Sequence, residues 1–208
     1  SYSLAASVRN AGGVPRLVGI ALDDVDDLSN KLEAGLSSDI LLTSAGVSKG
    51  DYDIVKDVIA DRGQIDLWSV RMRPAKPLAF GMLDLNKSDP VPHLGLPGNP
   101  VSALVGFEQF GRPAIRKMMG HKKLDRPTIW ATLEETIHNY DNRKVFARAV
   151  VKKREGRYFV SLSGNQSSNI LTSMSRANGL AICPEDLPVK EPGQLVEVQM
   201  LDWPEEVF

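Results

Sequence analysis

Thr43-Ser44-Ala45-Gly46-Val47-Ser48-Lys49-Gly50-Asp51-Tyr52-Asp53 joins an apolar run to a helical pattern, and that junction decides the fold class. Before it, residues 39–44 have the composition of a short buried strand. After it, Ile54, Val55, Val58 and Ile59 recur at helical spacing as far as Gly63. Gly46 and Gly50 permit a tight turn that exposes backbone amides, and the helix start behind them carries about half a positive charge. Strand, glycine loop and helix in this order make an anion-binding corner at the carboxyl edge of an open α/β sheet.

The same alternation extends in both directions. Leu4, Ala5 and Val8 share one face of a first helix that Gly12-Gly13 stops. Residues 17–22 predict a buried strand, and Val25, Leu28, Leu32 and Leu36 then repeat behind the acidic start Asp23-Asp24. Residues 65–72, 78–85 and 93–96 are strand-like. Asn99-Pro100 is a cap and first-turn pair for a helix running to about Met119, which Pro113 should kink or interrupt. These elements predict a doubly wound α/β domain with a mainly parallel sheet over residues 1–123. The texture then changes to short strands at 128–133, 145–153, 158–163, 180–183 and 195–200, with a hairpin turn at Arg154-Glu155-Gly156-Arg157. That pattern predicts a small all-β, barrel-like domain over residues 124–208.

Composition narrows the function classes. The 208 residues carry 25 Lys and Arg against 26 Asp and Glu, so no global basic field draws the chain to nucleic acid or to an anionic membrane. Any anion site must be local. Cys183 is the single cysteine, which excludes an intrachain disulfide, and His93, His121 and His138 lack zinc-ligand spacing with it. No apolar run approaches the ~20 residues that span a bilayer, and the expected location is the cytoplasm.

Three segments carry chemistry. In the first, Ser48 adds a hydroxyl to the amide corner, while Asp51 and Asp53 suit a phosphate only with a hard cation such as Mg²⁺ between them. The alternative is that both aspartates merely complement the helix dipole. Gly46-Val47-Ser48-Lys49-Gly50 also matches a nucleophile elbow, in which Ser48 would work with Asp84 or Asp89 and with His93 or His121. Against that reading, His93 lies in a strand-like run and no glycine-rich oxyanion segment precedes the elbow. The second segment, Arg71-Met72-Arg73-Pro74-Ala75-Lys76-Pro77, places three cations in six residues on a proline-stiffened turn, the form of a phosphate clamp. The third, Leu94-Gly95-Leu96-Pro97-Gly98-Asn99-Pro100-Val101-Ser102, is again strand, tight turn and helix start.

Together, in this order, the three segments resemble the molybdopterin molybdenumtransferase family, including the corresponding domain of gephyrin. Asn165-Gln166-Ser167-Ser168, Leu171-Thr172-Ser173 and Arg176-Ala177-Asn178-Gly179-Leu180 are similar to that family's C-terminal β domain. The resemblance implies an enzyme that takes adenylated molybdopterin and molybdate and, with Mg²⁺ or another divalent ion, releases AMP and molybdenum cofactor. It implies that Asp53 is the catalytic or metal-side carboxylate, with Asp51 beside it, and that Arg73 and Lys76 hold phosphate or molybdate. Gly46, Val47, Ser48, Gly50, Pro97, Gly98, Asn99, Pro100 and Ser102 would line the pterin site.

Ala45 and Ala75 stand where the family commonly has glycine, and Arg73 stands where lysine is common. The family's further N-terminal domains, and an aspartate just before the first helix, lie outside these residues. Its active sites are completed across a homodimer, so this stretch alone is expected to fold without turning over. A molybdopterin adenylyltransferase shares the α/β fold but not the attached β domain, and a gephyrin-like scaffold module is the remaining alternative.

Overall fold

Asp24 opens the second helix by accepting a hydrogen bond from the Asp27 amide at 2.9 Å, the capping geometry its type favours. The computed structural model describes residues 1–47, 63–84 and 90–204. Two compact units result: Ser1–Val70 with Ala75–His121, and Arg71–Pro74 with Lys122–Phe208. The expected helix at 54–63 falls on residues 48–62 and so lies outside the described residues, apart from Gly63.

In the first unit, α1 (Tyr2–Asn10) buries Leu4 and α2 (Val25–Gly35) buries Leu32 against Leu36, Leu83 and Val91. Four strands, β1 (Leu41–Ser44), β2 (Gly63–Ser69), β4 (Pro77–Leu83) and β5 (Val91–Leu96), form one sheet in the order β1-β5-β4-β2. Among the described residues only β1 and β5 pair in parallel; β5 with β4 and β4 with β2 are antiparallel. Among the described residues the sheet is therefore mixed, and the mainly parallel, doubly wound sheet that the alternation suggested is not shown by them. Connection length is the reason, because the short stretches between β2 and β4 and between β4 and β5 suit hairpins, whereas a parallel neighbour needs a crossover of about a dozen residues or more.

Residues 17–22 are not a strand either: Leu17, Ile20 and Leu22 are exposed, and the Leu22 amide donates to Asp27 Oδ2 at 2.8 Å. A local carboxylate has taken the donor that a strand ladder would have used.

The helix after β5 continues past the expected break. It runs as α3 (Pro100–Gly106), a π-helical turn (Phe107–Gly111) and α4 (Arg112–Met118). Pro113 lacks an amide and crowds the preceding turn, and the wider π turn ahead of it accommodates both effects without ending the helix.

The second unit is a closed barrel. Strands β6 (Thr128–Leu133), β8 (Lys144–Arg154), β9 (Arg157–Leu162), β10 (Gly179–Cys183) and β12 (Leu195–Met200) run in the order β10-β12-β6-β9-β8, and pairing of β10 with β8 completes the ring. Short β3 (Met72–Arg73) adds in parallel to β8, while β7 (Ile137–His138) and β11 (Val189–Lys190) form a separate ribbon, and helix α5 (Leu171–Arg176) lies between β9 and β10. Ala131, Leu133, Ala149, Val160, Ala181 and Val198 fill the interior. Closure removes the exposed edges that so small a sheet would otherwise present. At the β8 to β9 turn, Glu155 and Gly156 both have positive φ, as a two-residue hairpin loop requires.

Candidate functional site

Because β1 and β5 are adjacent and parallel, their carboxyl ends lie side by side, and the loops leaving them meet. The Ala45 amide donates to the Leu96 carbonyl at 3.0 Å and the Ser44 hydroxyl to the Pro97 carbonyl at 3.2 Å. A side chain added at Gly98 would come within 3.3 Å of the Ala45 Cβ, so the two turns touch through a methyl and a missing side chain. Gly46, Val47, Pro97 and Ser102 are buried there, Gly98 and Asn99 are exposed, and Pro100 is the first residue of α3 behind the Asn99 cap position. The structure thus brings the Gly46-Val47 corner and the Pro97 to Pro100 turn together. Ser48, Gly50, Asp51 and Asp53 lie outside the described residues.

Ala45 and Ala75 have φ of 82° and 73°. L side chains pay about 1 kcal/mol or more in this region. Both strained residues lie in segments picked out for ligand binding. Lys76, next to Ala75, is exposed, and its carbonyl accepts from the Val70 amide at 2.8 Å.

Arg73 belongs to the second unit and Lys76 to the first. The Arg73 guanidinium donates to the His138 carbonyl, lies over the Tyr140 ring at 5.7 Å and is 3.8 Å from the Asp141 carboxylate. His138 and Tyr140 stack at 5.2 Å. Asp141 also makes a close ion pair with Arg143, which together with Arg73 holds its carboxyl below the usual range.

The barrel's most unusual residue is Arg148 on β8, 2% exposed. Its Nε donates to Ser173 Oγ at 3.4 Å and its Nη2 to the Ser167 carbonyl at 3.3 Å, while Gln166 brackets its backbone at 2.9 and 3.0 Å. Ser163 donates to the Ser173 carbonyl at 2.6 Å and steadies the same turn. Among the described residues no carboxylate pairs with Arg148, whereas the equally buried Arg112 has Glu108 at 3.9 Å. Burial, and secondarily the charge of Arg73, lower the Arg148 pKa to about 10, so it stays cationic at neutral pH. A buried charge held by a hydroxyl and a carbonyl is costly to keep.

The model of the family described as "Probable molybdopterin binding domain" matches residues 1–117, and that of the "MoeA C-terminal region (domain IV)" matches residues 131–201. The chain belongs to the MoeA family. Curated relatives of this family include a molybdopterin molybdenumtransferase of Nostoc sp., 36% identical over 188 residues, covering 88% of this chain and 42% of the relative. Another is molybdopterin molybdenumtransferase 2 of Mycobacterium tuberculosis, 34% identical over 206 residues, covering 95% of this chain and 49% of the relative. The crystal structure of a molybdopterin biosynthesis MoeA protein from Pyrococcus horikosii superposes with a TM-score of 0.77 at 25% identity, covering 97% of this chain and 48% of that one. The chain thus spans about half the length of the relatives it matches.

Within this MoeA chain, sequence reading missed Arg148, although the signal was present. It is the lone cation in the apolar run Val145-Phe146-Ala147-Arg148-Ala149-Val150-Val151. His93, the base considered for a nucleophile elbow, is 1% exposed, and its Nε2 is 3.0 Å from the Thr43 hydroxyl. Burial lowers its pKa to about 4. A sealed histidine committed to its neighbouring strand cannot reach a substrate, so the serine hydrolase reading loses that base. Among the described residues no group of three or more His, Cys, Asp or Glu could hold a metal ion, and no helix is long and apolar enough to cross a membrane.

Proposed function

We propose that this chain serves molybdopterin molybdenumtransferase activity, in which molybdate enters adenylated molybdopterin, AMP leaves and molybdenum cofactor is formed. The carrying observation is Arg148, a buried cation without a carboxylate partner among the described residues, bonded to Ser173 and to the Ser167 carbonyl. An oxyanion such as molybdate satisfies that charge, and a guanidinium fork suits it geometrically.

The second part of the reading concerns the corner built by Ala45, Gly46 and Val47 against Pro97 and Gly98. Amides at the carboxyl edge of parallel strands suit the phosphate and pterin end of the nucleotide. Ser48, Gly50, Asn99, Pro100 and Ser102 extend that corner in the proposal. Lys76, exposed on the first unit, and Arg73, held on the second by the His138 carbonyl and the Tyr140 ring, are each proposed to offer positive charge to phosphate. Cleavage of a phosphoanhydride is mostly positioning and charge neutralisation, which cations and amides provide. Asp53, with Asp51, is the proposed catalytic or Mg²⁺-side carboxylate on the family resemblance. These carboxylates lie outside the described residues, and no step here runs through a metal. A homodimer completing the site and a cytoplasmic location belong to the same proposal.

Isothermal titration of the chain with molybdate and with adenylated molybdopterin tests the reading. Replacing Arg148 by Met should weaken molybdate binding at least about tenfold, the worth of one charge-assisted hydrogen bond. Lys76→Ala should weaken the nucleotide with little effect on molybdate. Unchanged molybdate affinity in Arg148→Met would sink the proposal.

A further inference from the structure

We propose that Gln166 is the positioning residue for Arg148: its side-chain amide takes the place of a strand partner on β8 and so sets where the guanidinium presents its remaining edge to an oxyanion. The inference rests on the oxyanion reading of Arg148 and adds the residue that aims it.

Alternation along β8 fixes the direction first. Ala147 and Ala149 lie in the barrel core, so Arg148 between them points away from it, towards Ser173 on α5. On one side β8 pairs with β10, where Arg148 lies level with Leu180. On the other side, pairing with β9 ends at Ala149 and Leu162, and the chain carries the ladder one bond further, from the Ser163 amide to the Arg148 carbonyl at 2.9 Å. Gly164, at φ 116°, then turns the chain away. The Arg148 amide has no strand left to meet, and Gln166 Oε1 accepts from it at 2.9 Å. Nε2 of the same side chain donates to the Arg148 carbonyl at 3.0 Å and to the Gly164 carbonyl at 2.9 Å. One side chain thus supplies the partners that a buried peptide group requires.

The next residue ties down the other end of Arg148. The Ser167 carbonyl takes Nη2 at 3.3 Å, and the Ser167 amide is itself held by Asn165 Oδ1 at 2.8 Å. Ser173 Oγ takes Nε at 3.4 Å. These two guanidinium contacts are long, so the orientation of the fork depends on the loop that carries the Ser167 carbonyl staying in place. The shorter bonds of Gln166 hold that loop to β8. With Nε and Nη2 engaged, Nη1 has no hydrogen-bond partner among the described residues, and it is the edge left for an oxyanion. Gln166 links the tie on the Arg148 backbone to the tie on its guanidinium.

The test is a double-mutant cycle read by isothermal titration of the chain with sodium molybdate, well below the unfolding midpoint of every variant. Gln166→Met keeps the length of the side chain and removes its amide; it should weaken molybdate about fivefold, the worth of one neutral hydrogen bond. In an Arg148→Met background the same change should leave molybdate affinity unaltered, because no guanidinium remains to be aimed. A merely structural Gln166 would lower the unfolding midpoint and leave the affinity of the folded chain as it was. If Gln166→Met does not fold, Gln166→Asn, whose amide falls about 1.5 Å short of the Arg148 backbone, is read in the same way. Parent-like binding by the Gln166 variant, or equal weakening in both backgrounds, overturns the positioning role while leaving the oxyanion site standing. Loss of that site is seen separately: if Arg148→Met binds molybdate normally, the oxyanion reading fails and the positioning role falls with it.

Discussion

His93 in the α/β unit and Arg148 in the barrel are buried to the same degree, 1% and 2% exposed, yet they end in opposite charge states. Histidine escapes the desolvation penalty by giving up a proton, because its ordinary pKa of 6.5 needs to move only to about 4. Arginine cannot escape, since a pKa lowered to about 10 still leaves it charged. His93 thus becomes a neutral strut between β5 and β1, held to Thr43 at 3.0 Å. Arg148 remains a cation surrounded by serine hydroxyls and carbonyls. Burial alone does not separate the two residues; Arg148 keeps a charge it cannot shed and, among the described residues, has no carboxylate beside it.

The largest expected effect tests the histidine half of this contrast. Below pH 6.5 the unfolded chain takes up a proton on His93 that the folded chain refuses until about pH 4. The unfolded state therefore binds more protons in that window. Stability from this residue is fully present above pH 6.5 and falls as the pH drops towards 4, by up to about 3 kcal/mol. Denaturant titrations of the chain and of His93→Gln across this range should diverge, with the variant losing this component; parallel curves would remove the contrast.

Next in size is the arginine half. Arg148→Met should weaken molybdate binding by about 2 kcal/mol and yet leave the fold as stable as before or slightly more so, because an apolar replacement removes an uncompensated buried charge. Concurrent loss of stability and binding would mean that Arg148 is a structural member of the barrel and not a site held open at a cost.

Strain gives the smaller effects. Ala45→Gly should raise stability by about 1 kcal/mol by releasing a side chain from φ 82°, readable as a higher unfolding midpoint. Ala75→Gly, at φ 73°, should do the same to a similar or lesser extent. If either glycine variant is less stable, the methyl contacts beside Gly98 and Gly106 outweigh the backbone strain there.

Much of the barrel was legible in the sequence. Residues 128–133 and 195–200 were expected as strands and are β6 and β12, because alternation of apolar and polar residues is set locally by the pleat. The Arg154 to Arg157 turn was readable for the same local reason. In the α/β unit, Asp24 and Asn99 marked helix starts correctly, whereas the direction of the strands was not legible, because a strand's own pattern is silent about its neighbour's polarity. Residues 17–22 have the composition of a strand but lack a ladder partner among the described residues, and Asp27 captures the Leu22 amide instead.

Of the candidate site, the sequence by itself determined which residues are chemically suited to an anion: the Gly46 corner, Arg73, Lys76 and the Pro97 to Pro100 turn. Their types and spacing are local properties that survive in any fold. Only the tertiary structure decided that β1 and β5 run in parallel and so bring two of those segments into contact. It alone assigned Arg73 to the barrel unit, beside Asp141, and buried Arg148 with no carboxylate paired to it among the described residues. Whether a charge is screened, paired or stranded depends on what the rest of the chain packs around it, and no run of neighbouring residues carries that information.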